Sequence, residues 1–364
     1  MRVLFFVPHT ALAAGARYRV YQFLPYLQAA GIDCTVRAFT SPELYGLLYG
    51  GGHELRRAGL ILARSLQRLK DVAGAGQFDA FFVYKECFPF GPPLIEEHLK
   101  SLGKPLIYDF DDAIFLPEST RLRQRLRSPD KVARIVTLAD RVIVSNQHLA
   151  GFSSAYNRNV EIIPTCIDMS VFVPKPCARA TNAPLRIGWI GSHSTAKYLE
   201  RLGLVFSRLA ARFDFELHVI GAGRTLRFPG VRSVERAWRL EAEVGEFQDL
   251  DIGVYPLGDS VWELGKAGFK AIQYMAVGVP SVSSPVGVMN EIVRDGTDGF
   301  LADSDDEWFD KLSRLLSDAD LRRRMAERGR EAVEQRFSLS ANAPKLVEAI
   351  RATVAGRAVG GAHG

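Results

Sequence analysis

Residues 263–288 read ELGKAGFKAIQYMAVGVPSVSSPVGV. Within them AGFKAIQYMAVG has helical character, with Phe269, Ile272, Tyr274 and Ala276 placed to pack. Gly265 and Gly268 precede or open that helix, and Gly278 with Pro280 closes it. PSVSS (280–284) then reads as a strand, and Gly287 leads a short helix carrying Glu291. Helix, strand, glycine loop and helix in this order are a piece of a doubly wound α/β sheet. Glycines returning beside Lys266 and Lys270 imply that something negatively charged comes close to this backbone.

The same alternation extends in both directions. Upstream of the quoted stretch lie apolar runs at 185–191, 215–221, 231–235 and 251–257, with another at 299–302 downstream. The first half holds its own set at 3–7, 34–39, 80–84, 105–110, 141–145 and 160–164. Residues 169–184, MSVFVPKPCARATNAP, break the period with three prolines and read as a linker. Two doubly wound, Rossmann-like parallel-sheet domains are therefore expected, 1–168 and 185–337, facing a cleft. A helix at 338–354 would return to the first domain, and 355–364 would be a disordered tail.

The chain's 364 residues, 47% hydrophobic and 24% charged, suit two soluble domains, and no apolar run has the roughly 20 residues of a membrane span. Net charge is +5, and through Asp168 there are 20 Lys and Arg against 16 Asp and Glu, so the first half points to acidic partners or an anionic membrane. Cys34, Cys87, Cys166 and Cys177 have neither metal-ligand nor redox spacing and read as reduced thiols. The opening MRVLFFVPHTALAAGA has only VLFFV before Pro8, short of the about 7–15 residues of a signal core, and reads as a buried strand entering a glycine loop. A cytoplasmic chain is expected, at the inner face of the membrane if it meets one.

Three glycine-led helix starts follow strands in the second half. Gly191, Ser192 and Thr195 open one, with Lys197 a turn in; Gly268 opens the second and Gly287 the third. Backbone N–H groups at such starts attract phosphate, although a plain strand–turn–helix junction has the same look. In the first half, IYDFDDAIF places Asp109, Asp111 and Asp112 at a strand end, where they either gather a cation or cap the next helix. The loop VPHTALAAGARYRV brings His9, Gly15, Arg17 and Arg19 to the end of the first strand, and arginines there suit a phosphate. Residues 53–74 set Leu55, Leu62, Leu66 and Leu69 on one helical stripe and Arg57, Arg64 and Arg68 on another. That pattern fits a helix lying on an anionic membrane, or one packed on the sheet with a solvated face. The basic run 121–131 extends the same surface, and no aromatic platform accompanies it as nucleic-acid binding would require.

The segments GWIGS with Lys197, HVIGAG with Gly221, DIGVYPL, QYMAVGVPSV, the PVG loop, EIVRDGTDGFLA and QRFS resemble the donor domain of GT-B glycosyltransferases, specifically the retaining family 4, also called group 1. The first half is in register with VPHTALAAGARYRV, LQAAGIDCTV, ADRVIVSNQHLAGF and VEIIPTCID. The resemblance implies a nucleotide-sugar donor, a hydroxyl acceptor that can be lipid-linked, and no metal or other cofactor. Taken with the residue readings above, donor contacts are expected at Gly15, Arg17, Gly191, Ser192, Thr195, Lys197, Gly221, Lys266, Gly268, Phe269, Lys270, Gln273, Gly287 and Glu291, and catalysis at Asp109, Asp111 and Glu263. The family's pair of glutamates seven residues apart is missing, since Gly265 and Gln273 stand at those positions. A glutamine bond to a ribose hydroxyl is worth about 1 kcal/mol against about 1.5–3 for a charged one, and Glu263 lies close enough in sequence to compensate. The expected activity is sugar transfer in surface polysaccharide or glycolipid synthesis. A sugar-nucleotide epimerase on this fold and a non-catalytic nucleotide-sugar-binding partner subunit are the rival readings.

Overall fold

The computed structural model describes residues 1–49, 53–117, 126–175 and 183–360. Residues 176–182 of the expected linker, the residues 121–125 of the basic run and the last four residues lie outside them. The chain divides into two compact units, Met1–Cys166 with Asn342–Gly364, and Ile167–Ala341.

The first unit is a six-stranded parallel sheet of β1 (Arg2–Val7), β2 (Asp33–Ala38), β3 (Ala80–Tyr84), β4 (Leu106–Phe110), β5 (Arg141–Val144) and β6 (Val160–Ile162). Their order is β2-β1-β3-β4-β5-β6. β3 and β4 are buried at every residue, as a sheet covered on both faces requires. Phe6, Phe81, Tyr108, Ile135 and Val142 are among the residues of its core. The C-terminal helix, Leu339–Gly360, belongs to this unit over most of its length, where Arg141 Nε donates to Thr353 Oγ1 at 2.8 Å. Residues 355–360, expected in a disordered tail, continue this helix.

The second unit repeats the plan with β7 (Leu185–Ile190), β8 (Phe215–Ile220), β9 (Arg232–Arg236), β10 (Ile252–Tyr255), β11 (Ser281–Ser283) and β12 (Phe300–Leu301), in the order β12-β11-β10-β7-β8-β9. The strand order reverses between β1 and β3 in one sheet and between β7 and β10 in the other. Ligands of open α/β sheets bind beyond the strand ends at such points.

The helix Phe269–Ala276 from the quoted stretch is seated by glycines in the sheet beneath it. Gly253 of β10 pairs in register with Gly188 of β7. Tyr274 lies against Gly253, so close that a Cβ there would stand 2.6 Å from its ring, and its hydroxyl donates to the Gly188 carbonyl at 3.0 Å. Gly253→Ala is expected to lose about 1–3 kcal/mol through overpacking. Gly59, inside the helix Glu54–Ala73, has nothing within 4 Å of its missing Cβ. Gly59→Ala should instead gain about 0.5–1 kcal/mol. Denaturant unfolding of the two variants distinguishes these opposite signs.

Candidate functional site

In the first unit the polar cluster forms where β1, β3 and β4 end. Asp109 is buried in β4 and accepts from Arg19 on both oxygens, Nε to Oδ1 at 3.0 Å and the terminal amine to Oδ2. A third Arg19 nitrogen donates to the Ile163 carbonyl at 2.6 Å. Burial alone would lower the Arg19 pKa, but Asp109 outweighs it and raises it. Asp109 and Arg19 thus answer each other, and this arginine does not face a phosphate.

Lys85 follows β3 with a positive φ of 62°, a conformation that costs a lysine about 1–3 kcal/mol and persists only where its surroundings enforce it. They do so here, because its N–H donates to Asp109 O at 2.8 Å and Tyr108 Oη donates to its carbonyl at 2.7 Å. Its ammonium lies 3.0 Å from Asp111 and 2.6 Å from Asp112. Burial opposes the charges of both partners, yet Lys85 is held well above its ordinary pKa and Asp111 below its own. Asp111 also accepts from Tyr84 Oη at 2.8 Å. Gly15 abuts that hydroxyl, where a Cβ would stand 2.3 Å from the oxygen. Lys85 therefore supplies the positive charge for Asp111 and Asp112, and among the described residues no three His, Cys, Asp or Glu gather as a metal site. Arg17 turns away to the carbonyls of Ala11 and Leu12 at 3.0 and 3.4 Å.

Beside this cluster a cavity of about 230 Å³ is lined by Phe39, Leu44, Ile61 and Phe90, with His9, Glu86 and Arg127 as polar members. Burial, aided by the charge of Lys85, lowers the His9 pKa to about 4.

In the second unit the loop after β7 is closed on itself. Ser192 N–H donates to Thr195 Oγ1 at 3.0 Å, and that hydroxyl donates to Ser192 O at 3.0 Å. Gly221 after β8 has φ 83°, and a Cβ there would stand 2.4 Å from the Gly191 carbonyl. Lys197 is exposed, with its ammonium 4.9 Å from the centre of the Tyr198 ring. Tyr198 and Ser260 both donate their hydroxyls to Glu263, which is buried. This ties the helix Ala196–Glu200, which follows β7, to the helix Val261–Leu264, which follows β10, on the two sides of the strand reversal.

Gln273, fully buried, joins a second network. Its Nε2 donates to Glu243 Oε1 at 3.2 Å, and its Oε1 accepts from Lys270 Nζ at 2.8 Å. Lys270 also stands 5.2 Å above the Phe247 ring, and Lys266 5.8 Å from the Trp262 ring. Phe269 is half-buried and Glu291 exposed. The glycines of the quoted stretch are approached closely by the chain itself. A Cβ on Gly268 (φ 64°) would stand 2.3 Å from Ile292, and one on Gly287 (φ 57°) 2.9 Å from the Leu264 carbonyl.

Sequence reasoning did not single out Tyr84, Lys85, Tyr198, Ser260 or Glu243. Lys85 had a legible signal, a lone cation directly after a buried apolar strand. Glu243 had none, because only the fold brings it to Gln273.

Residues 184–318, within the second unit, match the model of the family described as Glycosyl transferases group 1. A D-inositol 3-phosphate glycosyltransferase of Corynebacterium urealyticum is 31% identical over 134 residues, 36% of this chain and 29% of that protein. An N-acetyl-alpha-D-glucosaminyl L-malate synthase of Bacillus anthracis is 36% identical over 156 residues, 41% of this chain and 40% of that protein. The matches thus span less than half the length of these curated relatives. Among solved structures, HepE of Anabaena in complex with UDP and glucose superposes with a TM-score of 0.67 at 15% identity, covering 97% of this chain and 100% of that one. The same protein has been solved with UDP-glucose. This likeness shows the fold, the two-domain GT-B kind.

The His9 shift sets a pH dependence. Between about pH 4 and pH 6.5 the unfolded chain binds a proton at His9 that the folded unit refuses, so stability rises with pH across that window. Urea midpoints at its two ends should differ less in His9→Gln than in the parent chain.

Proposed function

We propose that the chain is a glycosyltransferase that moves a sugar from a nucleotide-sugar donor to a hydroxyl acceptor with retention of configuration. The observation that carries this reading is the match of residues 184–318 to the group 1 glycosyltransferases. The second unit would take the donor, with Lys197 and Lys270 offered to the diphosphate. Charge-assisted contacts of that kind are worth about 1.5–3 kcal/mol each. The first unit would take the acceptor. Its cavity of about 230 Å³ suits a hydroxyl carried on an apolar or lipid-linked body, as in glycolipid or surface polysaccharide synthesis.

Retention would follow from displacement on one face of the sugar. Orientation and stabilisation of the departing diphosphate then supply the rate, with no protein nucleophile required. Asp111, paired with Lys85 and Tyr84, is the carboxylate offered to the sugar or the attacking hydroxyl. Glu263 is offered to the donor side as the compensation for Gly265, and Glu291, being exposed, as a contact to the donor sugar. Because Lys85 already bridges Asp111 and Asp112, transfer is expected to persist in the presence of a chelator.

Melting of the purified chain against a panel of nucleoside diphosphates and nucleotide sugars tests the reading. A ligand at a hundred times its Kd adds about 2.7 kcal/mol, a shift of several degrees. Lys197→Ala should weaken the ligand that works by about tenfold or more, the equivalent of at least about 1.4 kcal/mol. No shift with any donor overturns the reading. A shift without transfer to any acceptor favours the non-catalytic binder, for which the neutral Gln273 speaks.

A further inference from the structure

The helix Glu54–Ala73 is turned inside out relative to an ordinary surface helix. Arg64 Nε donates to the Phe39 carbonyl at 2.7 Å. Arg68 is buried, donates to the carbonyls of Arg37 and Val7 at 3.1 and 3.3 Å, and lies 4.8 Å from the centre of the Phe6 ring. These guanidiniums satisfy carbonyls at the ends of β1 and β2 and beyond β2. The helix therefore meets the sheet with its arginine stripe, and its leucine stripe is left outside. Leu55, Leu62, Leu66 and Leu69 are 91, 63, 55 and 61% exposed. A globular helix normally places these two residue types the other way round.

We propose that this leucine face seats in the surface of an anionic membrane, with the helix lying in the plane of the headgroups. Charge selects the occupant. The first unit holds 23 Lys and Arg against 16 Asp and Glu, a net +7, whereas the second holds 23 against 25, a net −2. Residues 1–166 already hold 20 against 15, and the returning C-terminal segment adds 3 against 1, so the whole positive excess lies on the unit that bears the leucines. Lys70 stands exposed at one end of the leucine row, and Arg56, exposed at the other end, pairs with Glu43 at 2.7 Å. A second copy docking through the same face by a two-fold axis would bring these cations against their own kind. An anionic headgroup layer would neutralise them while the acyl boundary takes the leucines. No described helix is long and apolar enough to cross a membrane, so the contact is a surface one.

Vesicle binding needs neither donor nor acceptor, so it stands or falls apart from the transferase reading. The full chain is floated with vesicles of phosphatidylcholine alone and of phosphatidylcholine mixed with phosphatidylglycerol. It should partition onto the anionic vesicles, less so as salt is raised. Leu62→Gln with Leu66→Gln should lower that partition about tenfold or more, since each lost leucine removes apolar area from the interface. Both positions are exposed, so the melting point should hold. Three results would overturn the proposal: no partition onto anionic vesicles, equal partition onto neutral ones, or no difference between variant and parent. Light scattering that finds a dimer abolished by the same pair would assign the face to a second copy.

Discussion

A carboxylate at Asp109 sits within a strand whose every residue is buried, and only a cation brought into the same interior makes that tolerable. Arg19 is that cation. Since its guanidinium must reach Asp109, the helix Ala14–Arg19 is drawn onto the ends of β3 and β4. Gly15 then comes against Tyr84 Oη, where no side chain fits. Tyr84 in turn fixes Asp111, and Asp111 with Asp112 holds the Lys85 ammonium, while Asp109 O and Tyr108 Oη hold its backbone in a conformation that lysine otherwise avoids. One buried ion pair thereby orders the loops at the point where the strand order reverses.

The strands were legible because a parallel sheet covered on both faces leaves short continuous apolar runs, and all twelve fall within a few residues of the ranges read from them. The glycines were legible as places of close approach, but not what approaches. At Gly268 and Gly287 it is Ile292 and Leu264, residues whose proximity exists only after folding. The helix Glu54–Ala73 is a different case. Periodicity separates a leucine stripe from an arginine stripe, yet it cannot say which one meets the sheet. The answer depends on carbonyls of Arg37, Ala38 and Phe39 that accept from these arginines, with Val7, already taking the Phe39 N–H, as a further acceptor, and these lie elsewhere in the chain. Local composition favoured one orientation, and hydrogen-bond satisfaction chose the other.

The candidate site carries the same lesson in its charges. Asp109, Asp111 and Asp112 form a D-x-D pattern that, by residue type alone, is equally a cation site or a set of structural anions. The structure adds Arg19 and Lys85, both from other segments, and the carboxylates become partners of fixed cations. Counting oxygens along a sequence therefore overstates the negative potential available to a ligand.

Gln273 shows how a neutral residue can stand where a carboxylate is expected without emptying the position of charge. Its amide is polar at both ends, and burial obliges both ends to be answered. Glu243 answers the nitrogen and Lys270 the oxygen, so the amide relays between an anion and a cation. A glutamate at this position would face Glu243 directly, two carboxylates across a hydrogen-bond distance in a buried setting, which raises the cost of ionising either. The neutral amide is thus the residue that Glu243 demands. The negative charge next to Gln273 is carried by Glu243, on the helix Glu243–Gln248.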